Sequence, residues 1–123
     1  MQRDWEVIRK LLLKIEELPA NGVLQSSQLA TEGIDKDSAA FHMWLLIDAG
    51  LVDGNSTDTV SSRMCFARRL TWAGCEFLDG IKKDSNWNKV KETAKSRGLD
   101  LTFEVISATA KLFVGQLLAQ GGS

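Results

Sequence analysis

Apolar residues recur along this chain mostly with a helical period. Trp5, Ile8, Leu12 and Ile15 fall at i, i+3, i+7 and i+10, with Leu11 and Leu18 widening the stripe. Arg9, Lys10, Glu16 and Glu17 lie off it and should meet water. The spacing predicts a helix capped by Asp4 and ended by Pro19 and Asn21-Gly22. Val23–Leu29 is short and mixed, and admits either a brief strand at Val23 and Leu24 or one helical turn over Ser26–Ala30. Asp35 is placed to cap a second helix, Lys36–Ala49, which Gly50 closes. A strand then starts at Leu51-Val52. The polar run Asp53–Ser62 reads as a hairpin loop, and Arg63–Leu70 as the returning strand. Alternation in that strand is too irregular to assign its buried face. Thr71 is placed to cap a helix over Trp72–Leu78. Asp84 or Ser85 caps another, Asn86–Ser96, with Trp87, Val90 and Ala94 as its apolar stripe. Arg97-Gly98 ends it, and Asp100 or Thr102 opens a last helix to about Ala119.

Composition changes this picture little. The chain has 123 residues, 44% hydrophobic and 25% charged, which is the profile of a globular domain that needs no disulfide or metal to fold. The single proline fits long helices joined by short loops. A net charge of −1 excludes a uniformly basic nucleic-acid coat and a polybasic membrane binder. No apolar run approaches the ~20 residues of a membrane span, and no signal-peptide pattern stands at Met1–Lys10, so a cytoplasmic location is expected. Cys65 and Cys75 stand ten residues apart with no CxxC. They read as two small core hydrophobes in a reducing compartment.

Two motifs carry more. Ser38, His42-Met43, Leu46 and Ala49-Gly50-Leu51-Val52 resemble the recognition helix and following strand of winged-helix proteins of the arsenic-repressor kind. Leu70-Thr71-Trp72-Ala73-Gly74 resembles the Leu-Thr-x-x-Gly that follows the second wing strand in such proteins. The resemblance implies a mainly α (α+β) fold: a winged helix-turn-helix core over residues 1–80 with a two-stranded wing, a C-terminal helical extension over 81–120, and a flexible tail at 121–123. The chain as a whole is similar to a narrower group, domain-of-unknown-function family 2513. That likeness runs through Arg3–Glu17, Phe41–Val52, Arg69–Asp79 and Trp87–Glu92. It implies a small phage- or prophage-associated protein and no particular chemistry.

The helix that would read DNA is poorly equipped to do so. With Ala39, Met43 and Leu46 toward the core, the outward face should hold Asp37, Ala40, Phe41, Trp44, Leu45 and Asp48. From Asp35 to Val52 one lysine opposes three aspartates, a net of −2, which repels phosphate. Phe41, Trp44, Leu45 and Asp48 are therefore the candidate protein-interaction residues, because aromatic anchors dominate interfaces. Burial of Phe41 and Trp44 under the C-terminal helices is the alternative reading. Positive charge lies elsewhere. Ile81–Gly98 carries six basic residues against two acidic ones, a net of +4, and three arginines flank the wing. Arg63, Arg68, Arg69, Lys82, Lys83, Lys89, Lys91 and Lys95 are the candidate nucleic-acid contacts, although such a run is more often a solvated helix face.

An enzyme is not expected. His42 is the only histidine and falls inside a structural helix, no tyrosine is present, and no Gly-rich phosphate loop or metal-ligand spacing occurs. No cofactor or metal is expected; a metal-sensing role would require His42, Cys65 and Cys75 to converge. The last helix is apolar on more than one face, which suggests a homodimer through Val105, Phe113, Val114, Leu117 and Leu118. The leading expectation is a non-enzymatic module that contacts a host or phage protein, for example as a phage-encoded inhibitor of host defence of the anti-CRISPR kind. The alternative is a DNA-binding regulator.

Overall fold

The computed structural model describes the backbone of residues 1–58 and 63–121, and the side chains of residues 1–57 and 63–115. The fold is mixed α and β, mostly helical, with one three-stranded antiparallel sheet. Two compact units divide the chain, Met1–Cys75 and Glu76–Ser123. No helix among the described residues is long and apolar enough to cross a membrane.

In the first unit, α1 (Trp5–Glu16) starts at Asp4, whose carboxylate accepts from the Glu6 N–H. It buries Ile8, Leu11, Leu12 and Ile15, the stripe its spacing predicts. The segment after Pro19 uses both structures its sequence admits. Leu24–Gln25 form strand β1, and Ser26–Glu32 continue as a 3₁₀ helix. Helix α2 (Lys36–Asp48) follows, and Gly50 takes the left-handed conformation (φ 77°) that turns the chain into β2 (Val52–Asp58). Here the expected loop is corrected: from Asp53 onward most of the polar run is strand, because each residue finds a register partner on β3 (Arg63–Leu70). Cross-strand pairing overrides the weak strand propensity of Asp, Gly and Asn. Residues 59–62 lie outside the described residues. The strand order is β1-β3-β2, so β3 is central. Its buried residues, Cys65, Ala67 and Leu70, face α1 and α2.

Helix α3 (Trp72–Ile81) crosses the boundary between the units. The Thr71 hydroxyl accepts from the Gly74 N–H at 3.1 Å and donates to the Gly50 carbonyl at 2.6 Å, so one side chain caps α3 and ties it to the end of α2. In the second unit, α4 (Asp84–Ser96) and α5 (Phe103–Gly121) pack on one another. α4 begins at Asp84 rather than at Asn86, so Asp84 and Ser85 are helical residues and not caps; Lys83 is the cap residue and supplies no side-chain bond. Trp87, Val90 and Ala94 are buried as their spacing predicts, and Thr102 caps α5 by accepting from the Val105 N–H. Phe77 and Phe103 stack at 4.7 Å between ring centroids. α5 continues to Gly121, which places that residue in helix rather than in the expected tail.

Candidate functional site

Helix α2 is fixed from three sides. Its start is capped by Asp35, whose carboxylate accepts from the Ser38 N–H at 3.3 Å. The Ala40 carbonyl accepts from the buried Cys65 thiol at 3.3 Å, and the Cys65 N–H donates to Ser26 Oγ at 3.1 Å. His42 is buried, and both its ring nitrogens serve the backbone. Nε2 accepts from the Asp4 N–H at 2.8 Å, and Nδ1 lies 2.7 Å from the Ser38 carbonyl, to which it donates. This histidine clasps the start of α1 to α2, and the one lone pair of its neutral ring is engaged by the Asp4 N–H.

The buried face of α2 is wider than its apolar spacing suggests. Ala39, Ala40, His42, Met43 and Leu46 are all buried, because α2 packs against α1 on one side and against the sheet on another. Ala40, expected on the outward face, is thereby corrected to the core. The remaining outward residues, Asp37, Phe41, Trp44, Leu45 and Asp48, leave the helix within an arc of about 100° at helical geometry. The two aspartates are exposed, while Phe41, Trp44 and Leu45 are half-buried. The Arg63 guanidinium lies over the Trp44 ring, 4.6 Å from its centroid. No arginine, lysine, asparagine or glutamine stands on this arc, which leaves it without the donors that read base edges.

The hairpin places its arginines on two faces. Register shifts between Asp53 and Gly54, where Asp53 pairs with Arg69 and Gly54 with Ala67. Arg68 is the extra residue of this β-bulge. A side chain at Gly54 would collide with the Phe66 carbonyl oxygen, so glycine is what lets the strands close there. Past the bulge it is Leu70 that returns to the core, and Arg68 and Arg69 both turn outward. Arg68 Nη2 donates to Asn55 Oδ1 at 2.8 Å, and Arg69 Nε lies 3.5 Å from Asp53 Oδ2. Arg63 shares the phase of Cys65 and Ala67, so it lies on the opposite face, toward α2.

The lysines of the second unit do not assemble into one surface. Lys82, Lys83, Lys89 and Lys95 are exposed and Lys91 is half-buried. Lys89 and Lys91 leave α4 about 160° apart, on either side of the buried stripe. Lys91 Nζ sits 5.2 Å from the Trp87 ring centroid, and Lys89 Nζ 6.0 Å from that of Phe113. On α5, Val105 and Phe113 are half-buried and Val114 is exposed, with Leu112 exposed on the far flank of the Ile106–Ala110 stripe. Leu117 and Leu118 lie outside the described side chains. Cys65 is a core residue as expected, but Cys75 is exposed, because on α3 it lies to one side of the buried Gly74, Phe77, Leu78 and Ile81, about 110° from the centre of that stripe. Among the described residues no three His, Cys, Asp or Glu side chains converge as metal ligands.

Three features escape the sequence pattern. Trp72 is 82% exposed although it opens an apolar helix. Lys14 and Glu32 form a 2.7 Å ion pair between α1 and the 3₁₀ helix. The hydrogen bond and charge of each hold the Lys14 ammonium above, and the Glu32 carboxyl below, their usual ranges. The third is the outer face of the sheet, where Gln25, Phe66 and Asn55 share one cross-strand row. The adjacent arginines and the glycine in β2 were its only signal.

Residues 2–100 match a protein family described as "Hypothetical protein (DUF2513)". An uncharacterized protein of Haemophilus influenzae is 38% identical over 120 residues, covering 97% of this chain and 100% of the relative. No solved structure matches. On the extent of the family match and of the full-length relative, the chain belongs to the DUF2513 family.

Proposed function

We propose that this protein is a non-enzymatic, winged-helix type module of the cytoplasm that works by binding another protein through the outward face of α2. The observation that carries the reading is the composition of that face: Phe41, Trp44 and Leu45 between the exposed Asp37 and Asp48, with no base-reading donor among them. Half-buried aromatics held by packing cost little entropy to bind, which suits interface anchors. The acids favour a partner surface that is apolar with a basic rim. A host protein met by a phage-borne inhibitor, of the anti-CRISPR kind, is a partner of this class.

The test is affinity capture from host lysate by the wild-type chain and by a Phe41→Ala, Trp44→Ala, Leu45→Ala variant. A protein retained by the first and lost from the second supports the reading; retention by both removes it. The DNA-regulator alternative makes the opposite demand. It requires tight binding of random-sequence duplex that weakens steeply with salt, dependent on Arg63, Arg68, Arg69 and the lysines from Lys82 to Lys95. Fluorescence anisotropy at physiological salt should show no such binding.

A further inference from the structure

The outer face of the three-stranded sheet takes no part in the α2 reading, yet it carries its own ordered chemistry. Cys65 and Ala67 are fully buried, so Phe66 between them points to the other side of the sheet. Its Cα partners are Gln25 on β1 and Asn55 on β2. Paired residues share a face, so an aromatic ring stands between two amides in a row about 10 Å wide. Phe66 is half-buried, which leaves part of the ring surface to solvent. Gln25 Nε2 donates to Met64 Sδ at 2.9 Å, and Asn55 Oδ1 accepts from Arg68 Nη2 at 2.8 Å. Both amides are thus oriented by neighbours on β3. The bulge adds two guanidinium groups at one end of the row. Arg68 is steadied by a neutral amide, which does not cancel its charge. Arg69 meets Asp53 only at 3.5 Å, with its side chain 71% exposed.

We propose that this face binds single-stranded nucleic acid. A ring offers a stacking surface to an unpaired base, flanking amides offer donors and acceptors to its edge, and the arginines meet the backbone phosphate. Duplex is a poor occupant, because its bases are already stacked and an open sheet face does not enter a groove. An acidic peptide would use the arginines but has no need of the ring and amides. The proposal does not depend on the α2 face, which lies on the other side of β3.

The test is anisotropy of labelled oligodeoxythymidine with the full chain at low salt, beside a duplex of equal length and polyglutamate as competitors. Saturable single-strand binding is expected, weakened about tenfold by Phe66→Leu, restored by Phe66→Tyr, and weakened similarly by Arg68→Ala. Lys10→Ala, an exposed cation on α1, should leave it unchanged. Arg68 is exposed, so its variant remains informative if circular dichroism shows that Phe66→Leu has unfolded. The proposal is overturned by no binding at low salt, by indifference to Arg68→Ala, by equal loss in Lys10→Ala, or by duplex or polyglutamate competing as well as the single strand.

Discussion

Helices α1 and α2 lie against each other and bury similar apolar faces, but they treat water differently. Around α1, the residues turned away from Ile8, Leu11, Leu12 and Ile15 are Glu6 and Lys10, both exposed, with Arg9, Leu13 and Lys14 half-buried beside them. Around α2, the residues turned away from Ala39, Met43 and Leu46 include Phe41, Trp44 and Leu45. α1 is therefore strongly amphipathic and α2 hardly so. A charged outer face is what solubility alone would select. An outer face that keeps three large apolar side chains only partly covered forgoes that benefit, as the proposed interface requires.

The largest effects are expected at the buried faces, where the two helices should behave alike. Leu12→Ala in α1 and Met43→Ala in α2 each remove a side chain that is 0% exposed. Each should cost about 2 to 5 kcal/mol in chemical denaturation. A much smaller cost for Met43 would mean that α2 is not seated as described. Next is the clasp between them: His42→Ala strips the partner from the Asp4 N–H and the Ser38 carbonyl and should cost about 1 to 3 kcal/mol. Faster amide exchange at the start of α1, compared with its middle, would show that the loss is local. Trp44→Ala should lower stability by about 1 kcal/mol, less than the core truncations, because its ring is only partly buried and its Arg63 contact is a surface cation–π pair. A cost near that of Met43→Ala would make Trp44 core and remove the contrast.

The smallest effect is expected at the pair that Lys14 of α1 forms with Glu32. Glu32 has its carboxyl held low by Lys14, so the pair stabilises the fold above the ordinary carboxylate range and loses this as pH falls through the lowered value. Lys14 is held high, so its share is complete at neutral pH and is lost only as alkaline pH passes the raised value. Glu32→Gln should slightly flatten the acid limb of a stability–pH curve and leave neutral stability almost unchanged, since the pair is exposed. An unaltered acid limb would show that the pair contributes nothing in solution.

What the sequence made legible follows from how local each signal is. The Asp4 cap, the α1 stripe, Gly50 and the Thr71 cap are written within a few residues of where they act, whereas the bond from Thr71 to the Gly50 carbonyl spans 21 residues and was not. The outer arc of α2 was legible for the same reason, since helical spacing alone brings Phe41, Trp44, Leu45 and Asp48 together. Ala40 was misplaced because the width of a buried face depends on how many elements pack on it, and α2 meets both α1 and the sheet. The strand character of β2 was hidden because its residues are polar and their pairing is with β3, across the turn. The bulge at Gly54 also breaks the alternation on which any reading of β3 depends, so the Gln25–Phe66–Asn55 row emerges only from register. The lysines of α4 illustrate the converse: a net charge is visible in sequence, but its spread around a helix decides whether it forms a surface.

On the proposed function, the outer face of α2 meets a protein and that of α1 does not. Site-specific photo-cross-linking in host cells compares them directly, with a photoreactive residue in place of Trp44 in one variant and of Lys10 in the other. A discrete, heavier adduct at position 44 and none at position 10 is the predicted result. Adducts at both positions, or at neither, would contradict it.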